Sequence, residues 1–482
     1  MGKDSKFISE IGKFFTESKS DKAMHAIMDM ATRIRFDEKR LFGTESRYNC
    51  KYTNLQVFCL LLMFPCFMVK NAYGYATSSL SGLVNCGKDV FYRFLEKDTT
   101  DWRRVHAKVT RRLMDIIRVR GDHGNGTPVC LMVDDTDFPK SGMHTEKIGK
   151  VFSHVKLSMI LGFKALFLGL TDGKTQLILD MAVVGEEGKS KKHGLTKEQL
   201  EGRFSKDRED GCPAKVREEE YTRSKIALMM EMIRRAIQGG VRFDYILADS
   251  WFACSEVIHF VKSRHIRCHY LGMIKVGKKG VTKYLYEGKA LTAPGIVAEL
   301  LRQKRQKYSH RLRCHYMTAD VVYDGVKVRL FFVKRVKNNS WNGLLTTDMS
   351  LDFMTAYRTY SMRWSIEVVF KDCKELLGLG KYNVRNFTSQ IACTTITAIQ
   401  YNILSVTRRF SDYETLGGLF QDCVADSLEL SVTERLWQAL LDLVADIAEI
   451  FGIDDDNVFD ILVNKSDKLN HFVNFYKLKL AS

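Results

Sequence analysis

The stretch PVCLMVDDTDFPKSG, Pro128 to Gly142, decides how this chain is read. Five apolar residues, Val129 to Val133, run without a break and end on Asp134, Asp135 and Thr136, the pattern of a short strand buried on both faces. A second run behaves alike: DYILADSWF, Asp244 to Phe252, delivers Asp249 after an apolar strand. A strand-terminal Asp is most often a turn or cap residue. Two of them around a common sheet are more pointed, because open α/β sheets build their sites at the carboxyl ends of strands. Successive strand residues face opposite ways, so only one of Asp134 and Asp135 can face such a site.

Working outward, MILGFKALFLGL (Met159 to Leu170) and TQLILDMAVV (Thr175 to Val184) predict a hairpin, giving three strands in sequence at the start of a mixed sheet. Residues 186 to 220 hold 10 acidic and 9 basic side chains and predict a solvated, partly mobile insertion. Helices are expected from Tyr221 to Gln238 and from Ser255 to Ser263. From Arg267 to Thr346 the pattern is again β. A continuous helix is then expected from Leu351 to Leu377, with helices from about Thr388 onward. Residues 1 to about 120 read as helical: Tyr75 to Leu80 and Asp89 to Lys97, around a turn at Gly82 to Gly87, fit either a helix-turn-helix or plain helical packing. The helix Trp102 to Arg118 carries Arg103, Arg104, Lys108, Arg111 and Arg112, as a solvated face or a phosphate-tracking one.

The helix containing YRTYSMRWSIEVVFKDCKELLG adds a third acid. At about 100° per residue, Tyr360, Arg363, Glu367 and Lys374 fall on one stripe about 60° wide. An amphipathic helix with an exposed Glu367 to Lys371 pair explains such a stripe. So does a site where an acid holds a metal while its neighbours hold phosphate oxygens. Asp134, Asp249 and Glu367, with no Cys or His among them, are hard oxygen ligands that suit Mg²⁺ or Mn²⁺. Two such ions about 4 Å apart activate a water or 3′-hydroxyl in phosphodiester cleavage.

Composition agrees with a polyanionic partner. The 482 residues are 45% hydrophobic, enough for several domains with real cores, and 74 Lys and Arg against 57 Asp and Glu give a net charge of +17. The excess is uneven: residues 411 to 482 hold 14 acidic and 5 basic side chains, so everything upstream is more basic still. The twelve scattered cysteines read as reduced core residues, with no structural zinc. His154, His193 and His259 lack metal-ligand spacing. The longest apolar run, Val57 to Val69, contains Pro65 and is too short to span a bilayer, and the charged N-terminus has no signal-peptide pattern.

Tyr360, Arg363, Glu367 and Lys374 fit Y-x2-R-x3-E-x6-K, and with VDDTDFPKSG, LADSWF and LLTTDMSLDFMTAYRTYSMRWSIEVVFKDCKELLGLGK the chain from Cys130 to Asn386 resembles the DDE transposases of the insertion-sequence-four type. The resemblance implies a ribonuclease H-like α/β core, residues 126 to 386, with a β-rich insertion at about 267 to 346. It is flanked by a helical DNA-binding domain, 1 to 125, and a helical acidic domain, 387 to 482. It implies that Asp134, Asp249 and Glu367 bind two Mg²⁺ or Mn²⁺ ions, with Asp134 favoured over Asp135. Tyr360, Arg363 and Lys374 would contact DNA phosphates. Trp364 or Trp251 could stack on a flipped base, although core packing is the expected role of either ring. The implied activity is cut-and-paste transposition by a homodimer on DNA, acting on inverted-repeat ends and target DNA in the cytoplasm and nucleoid of a bacterium, with no membrane partner. The acidic C-terminal helices are candidates for the dimer contact or for masking basic surface. A ribonuclease H-like nuclease without strand transfer, or a non-enzymatic DNA-binding derivative, are the alternatives; the intact acids argue against the latter.

Overall fold

A computed structural model describes residues 23–82, 84–119, 126–185, 195–263, 266–277, 281–336 and 340–428. Most of the acidic C-terminal region therefore lies outside the described residues.

Twelve strands form one mixed sheet: β1 Cys130–Pro139, β2 Gly149–Ser153, β3 Ser158–Thr171, β4 Gln176–Val184, β5 Tyr245–Ala248, β6 His269–Ile274, β7 Lys283–Tyr286, β8 Lys289–Thr292, β9 Lys307–Ser309, β10 Cys314–Tyr323, β11 Val326–Arg335 and β12 Asn342–Thr346. The order is β2-β3-β1-β5-β6-β12-β11-β10-β7-β8, with β4 on β3 and β9 on β10. β1 is antiparallel to β3 and parallel to β5, and β5 is parallel to β6. The parallel trio aligns three carboxyl ends at one edge. The strands predicted between Arg267 and Thr346 continue this sheet, through β12 antiparallel to β6.

Alternation along β1 splits the core. Leu131 and Val133 face one cluster, shared with the helices Lys225–Gln238, Ser255–Lys262 and Ala293–Arg302. Met132 and Phe138 face the other, which holds the N-terminal helices and the helices Trp102–Val119, Ser365–Glu375 and Phe387–Arg409. The last of these is buried along nearly its whole length. Its Asn402 accepts from the Ile178 amide at 2.7 Å and donates to the Ile178 carbonyl at 2.8 Å, so a side-chain amide extends the ladder of β4. The helix thereby covers a sheet edge that would otherwise present unpaired backbone groups.

Four expectations are corrected. The insertion expected at 186 to 220 is only partly solvated: residues 186 to 194 lie outside the described ones and Lys197, Glu198 and Glu201 are exposed, but Arg208 is fully buried and bonds both carboxylate oxygens of Glu146, at 2.6 and 2.8 Å, while Arg217, Glu218 and Glu220 are also buried. Balanced charge there reflects internal pairing over long sequence separations, which composition does not distinguish from hydration. The expected helix Tyr75 to Leu80 is two 3₁₀ turns, Gly74–Thr77 and Ser79–Gly82, followed by an α-helix Lys88–Leu95. Tyr75 and Phe91 are buried against each other within the helical core. Arg103 turns inward to Asp180 at 3.1 Å and Glu220 at 2.7 Å. Arg104, Lys108, Arg111 and Arg112 remain exposed. Finally, the helix expected from Leu351 to Leu377 is broken: Phe353–Ser361 and Ser365–Glu375 are α-helical, joined by a 3₁₀ turn at Met362–Trp364. No helix among the described residues is long and apolar enough to cross a membrane.

Candidate active site

Strand register brings the first two acids together. Val133 of β1 lies opposite Ala248 of β5, so the next residues, Asp134 and Asp249, are neighbours at the carboxyl ends of adjacent parallel strands. Asp134 shares its face with Met132 and Thr136, toward the helix Ser365–Glu375. Asp135 points the other way and is paired with Lys164 at 3.1 Å and Lys225 at 3.0 Å. Its charge is already balanced. Asp249 ends its strand in a tight turn, accepting the Trp251 amide at 2.9 Å.

The third acid arrives from the broken helix. The guanidinium of Arg363, in the 3₁₀ turn, donates to Asp134 Oδ2 at 3.1 Å and to Glu367 Oε1 at 2.6 Å, joining strand and helix through one cation. Lys374, two turns beyond Glu367, donates to Thr136 Oγ1 at 2.6 Å. Tyr360 sits with its hydroxyl buried and without a hydrogen bond, the Arg363 guanidinium 5.9 Å from its ring centre. The stripe read from the sequence is thus assembled over Asp134 and Thr136. In this geometry Arg363 and Lys374 are engaged by protein oxygens.

Electrostatics fit a cation-binding pair. Burial pushes the Asp134 carboxyl up to about 6; the charges of Asp249 and Asp135 add to this, while the Asp135 amide and Arg363 oppose it. Burial likewise pushes Tyr360 up to about 12. Two carboxylates side by side in a half-buried site repel each other unless a cation lies between them. Their hard oxygens suit Mg²⁺ or Mn²⁺. Among the described residues, no three Asp, Glu, His or Cys side chains converge closely enough to ligate one ion. The expected three-carboxylate cluster is therefore not closed, because Arg363 stands between Asp134 and Glu367.

Both tryptophans were expected to pack in the core, and neither does. Trp364 is 62% and Trp251 46% exposed, and the Lys225 ammonium lies 4.9 Å from the Trp251 ring centre. Each flanks a site residue through a neighbouring turn, and turn positions carry no periodicity that would predict burial. Replacing Trp364 with Ala should shift stability by no more than about 0.5 kcal/mol. If Trp364 stacks on a base, the same change should weaken DNA binding by about 1–3 kcal/mol. Thermal denaturation and fluorescence anisotropy check the two numbers; a large stability loss would return the ring to a packing role.

Sequence reasoning gave Thr136 no role of its own in the site and passed over Lys225. Strict alternation from Asp134 places Thr136 on the site face, so that signal was legible. Lys225 begins a helix 90 residues downstream of Asp135 and carried none.

Residues 77 to 272 match the DDE superfamily endonuclease family. The matched stretch contains Asp134 and Asp249 and stops before Glu367. No curated protein matches the chain. Among solved structures, the piggyBac transposase synaptic complex with hairpin DNA is similar at a TM-score of 0.43 and 12% identity, covering 89% of this chain and 79% of that one. The NurA nuclease from Sulfolobus solfataricus is similar at 0.22 and 10%, covering 57% and 85%.

Proposed function

We propose that this protein is a DNA transposase working by cut-and-paste chemistry, with Asp134, Asp249 and Glu367 as its catalytic, metal-binding acids on a ribonuclease H-like core. The observation that carries the reading is the register that sets Asp134 beside Asp249 while Arg363 ties Glu367 to the same carboxylate. Support for the core comes from the order β4-β3-β1-β5-β6, with the first three antiparallel and the last two parallel to β1. The DDE endonuclease match over residues 77 to 272 supports the nuclease class.

Two Mg²⁺ or Mn²⁺ ions held by these acids would supply activation of a water, then of the freed 3′-hydroxyl, and stabilisation of the leaving oxygen. The chain's own residues do the remaining work. Arg363 keeps the like-charged Asp134 and Glu367 together and, on release, can pair with a phosphate in a bidentate fork. Lys374 offers a point charge beside Thr136, and Tyr360 a buried hydroxyl seeking an acceptor. Trp364 and Trp251 present ring faces to an unstacked base. The exposed Arg104, Lys108, Arg111 and Arg112 form a stripe suited to tracking a duplex backbone. Pairing of two DNA ends calls for a homodimer on DNA, in the nucleoid of a bacterial cytoplasm, assembled or regulated by the acidic C-terminal region.

Two outcomes test this. Binding to transposon-end DNA should fall steeply with salt, with one unit of log–log slope for roughly each phosphate contact. A flat salt response would remove the phosphate-tracking stripe from the account. With Mg²⁺ and a supercoiled target, the purified protein should join a labelled 3′ end to the target. Hydrolysis without joining would instead favour a ribonuclease H-like nuclease.

A further inference from the structure

A second cleft, of about 600 Å³, opens beside the carboxylates. One wall is the end of β1 and the loop that follows it, from Asp137 to Thr145; the other is the loop after the helix Ser365–Glu375, from Leu379 to Arg385. Lys140 braces the two, its buried ammonium donating to the carbonyl oxygens of Gly380 at 3.2 Å and Tyr382 at 2.9 Å. Burial pulls that ammonium down to about 8. Lys140 is thus structural, which leaves Lys374, Lys381 and Arg385 as the cations a ligand would meet, the last two exposed. The acid in the lining, Asp137, is matched by Lys164 at 2.7 Å. The cleft is therefore net positive, with apolar patches at Pro139, Leu379 and Val384 between the charges.

We infer that this cleft takes a single-stranded stretch of DNA leading away from the carboxylates, with Lys374, Lys381 and Arg385 on its phosphates. The inference rests on the proposed function and names where one strand of the substrate runs. Size decides between strand and duplex: about 600 Å³ is the scale of a small-ligand site, room for a nucleotide or two and not for a double helix. Cations alternating with apolar wall suit a sugar-phosphate backbone with its bases. Position links it to the chemistry. Along β1, Asp137 lies three residues, about 10 Å, beyond Asp134, a span of about three stacked nucleotides, and it is Lys374 that brings the cleft round to the site face. Lys374 belongs to both, touching Thr136 on the site face and lining the cleft.

The test uses the full-length chain carrying Lys381→Glu with Arg385→Glu, and as control Lys283→Glu with Lys289→Glu on β7 and β8, far along the sheet. Binding is measured by anisotropy without divalent ions, on a blunt duplex and on the same duplex bearing a single-stranded tail of about ten nucleotides. The cleft pair should weaken binding to the tailed DNA about tenfold and to the blunt duplex by less than about threefold; the control pair should affect both alike. A milder Lys381→Gln with Arg385→Gln variant should show the same selectivity, so misfolding of the charge-reversed protein cannot imitate it. Equal loss on both DNAs, or no loss, overturns the cleft assignment while leaving cleavage by the wild type as support for the proposed function. Wild-type protein that binds neither DNA overturns both.

Discussion

Asp249→Asn should reduce DNA cleavage by about a thousandfold or more while changing end binding by less than about twofold. The substitution keeps shape and removes charge. Asp249 closes a turn by accepting the Trp251 amide, a bond that the Asn side-chain carbonyl can also accept. Local structure should survive. What is lost is the negative oxygen beside Asp134, and with it the carboxylate pair that register creates at the ends of β1 and β5. A neutral amide is a poor ligand for a hard divalent ion. Single-turnover cleavage of an end-labelled duplex measures the first effect and anisotropy the second. Cleavage within about tenfold of wild type would remove Asp249 from the catalytic set. Binding lost along with cleavage would mean that the turn, and not the charge, was the essential contribution.

Arg208→Met should destabilise the fold by about 3–5 kcal/mol, because it leaves Glu146 charged, buried and without its cation. Glu146 accepts two bonds from Arg208, one from the Phe387 amide at 2.6 Å and one from the Lys206 amide at 2.9 Å. Burial alone would raise its carboxyl, but these bonds outweigh burial and hold it below the usual glutamate range. Such a group contributes stability above the unfolded-state value, and that contribution is lost as pH falls through the folded one. The pair therefore weakens only in acid. Hydrogen exchange at the Phe387 amide reads the site directly, since that amide donates to Glu146 at the start of the buried helix Phe387–Arg409. The double variant Glu146→Leu with Arg208→Met should regain part of the loss, since it removes the lone charge but leaves the Phe387 and Lys206 amides without their acceptor. Little exchange difference in the single variant would show that the interior tolerates a lone carboxylate there.

These two predictions mark where sequence reasoning succeeds and where it stops. The apolar run into Asp134, its echo before Asp249, and the hairpin from Met159 to Val184 all carry local patterns, and all three occur as strands close to where they were expected. Alternation also separates Asp134 from Asp135, and the lysines on Asp135 agree with that separation. The helix carrying Glu367 was legible as an element, yet its break at Met362–Trp364 was not, because a 3₁₀ turn leaves no mark on a 100° periodicity. Arg363 lies in that turn, so its bridge between two acids could not be read from a helical stripe. The Arg208 network was least legible. Its partners Asp98, Glu146 and Thr388 are scattered over nearly 300 positions, and charge composition looks the same whether ions face water or one another.

The most direct test of the central claim, that Asp134, Asp249 and Glu367 form one metal-dependent unit, is a count of Mn²⁺ bound to the DNA complex by electron paramagnetic resonance. The account predicts two ions per chain in the wild type and fewer in each of Asp134→Asn, Asp249→Asn and Glu367→Gln, with cleavage lost in step. Full Mn²⁺ occupancy persisting when all three acids are neutralised would contradict it.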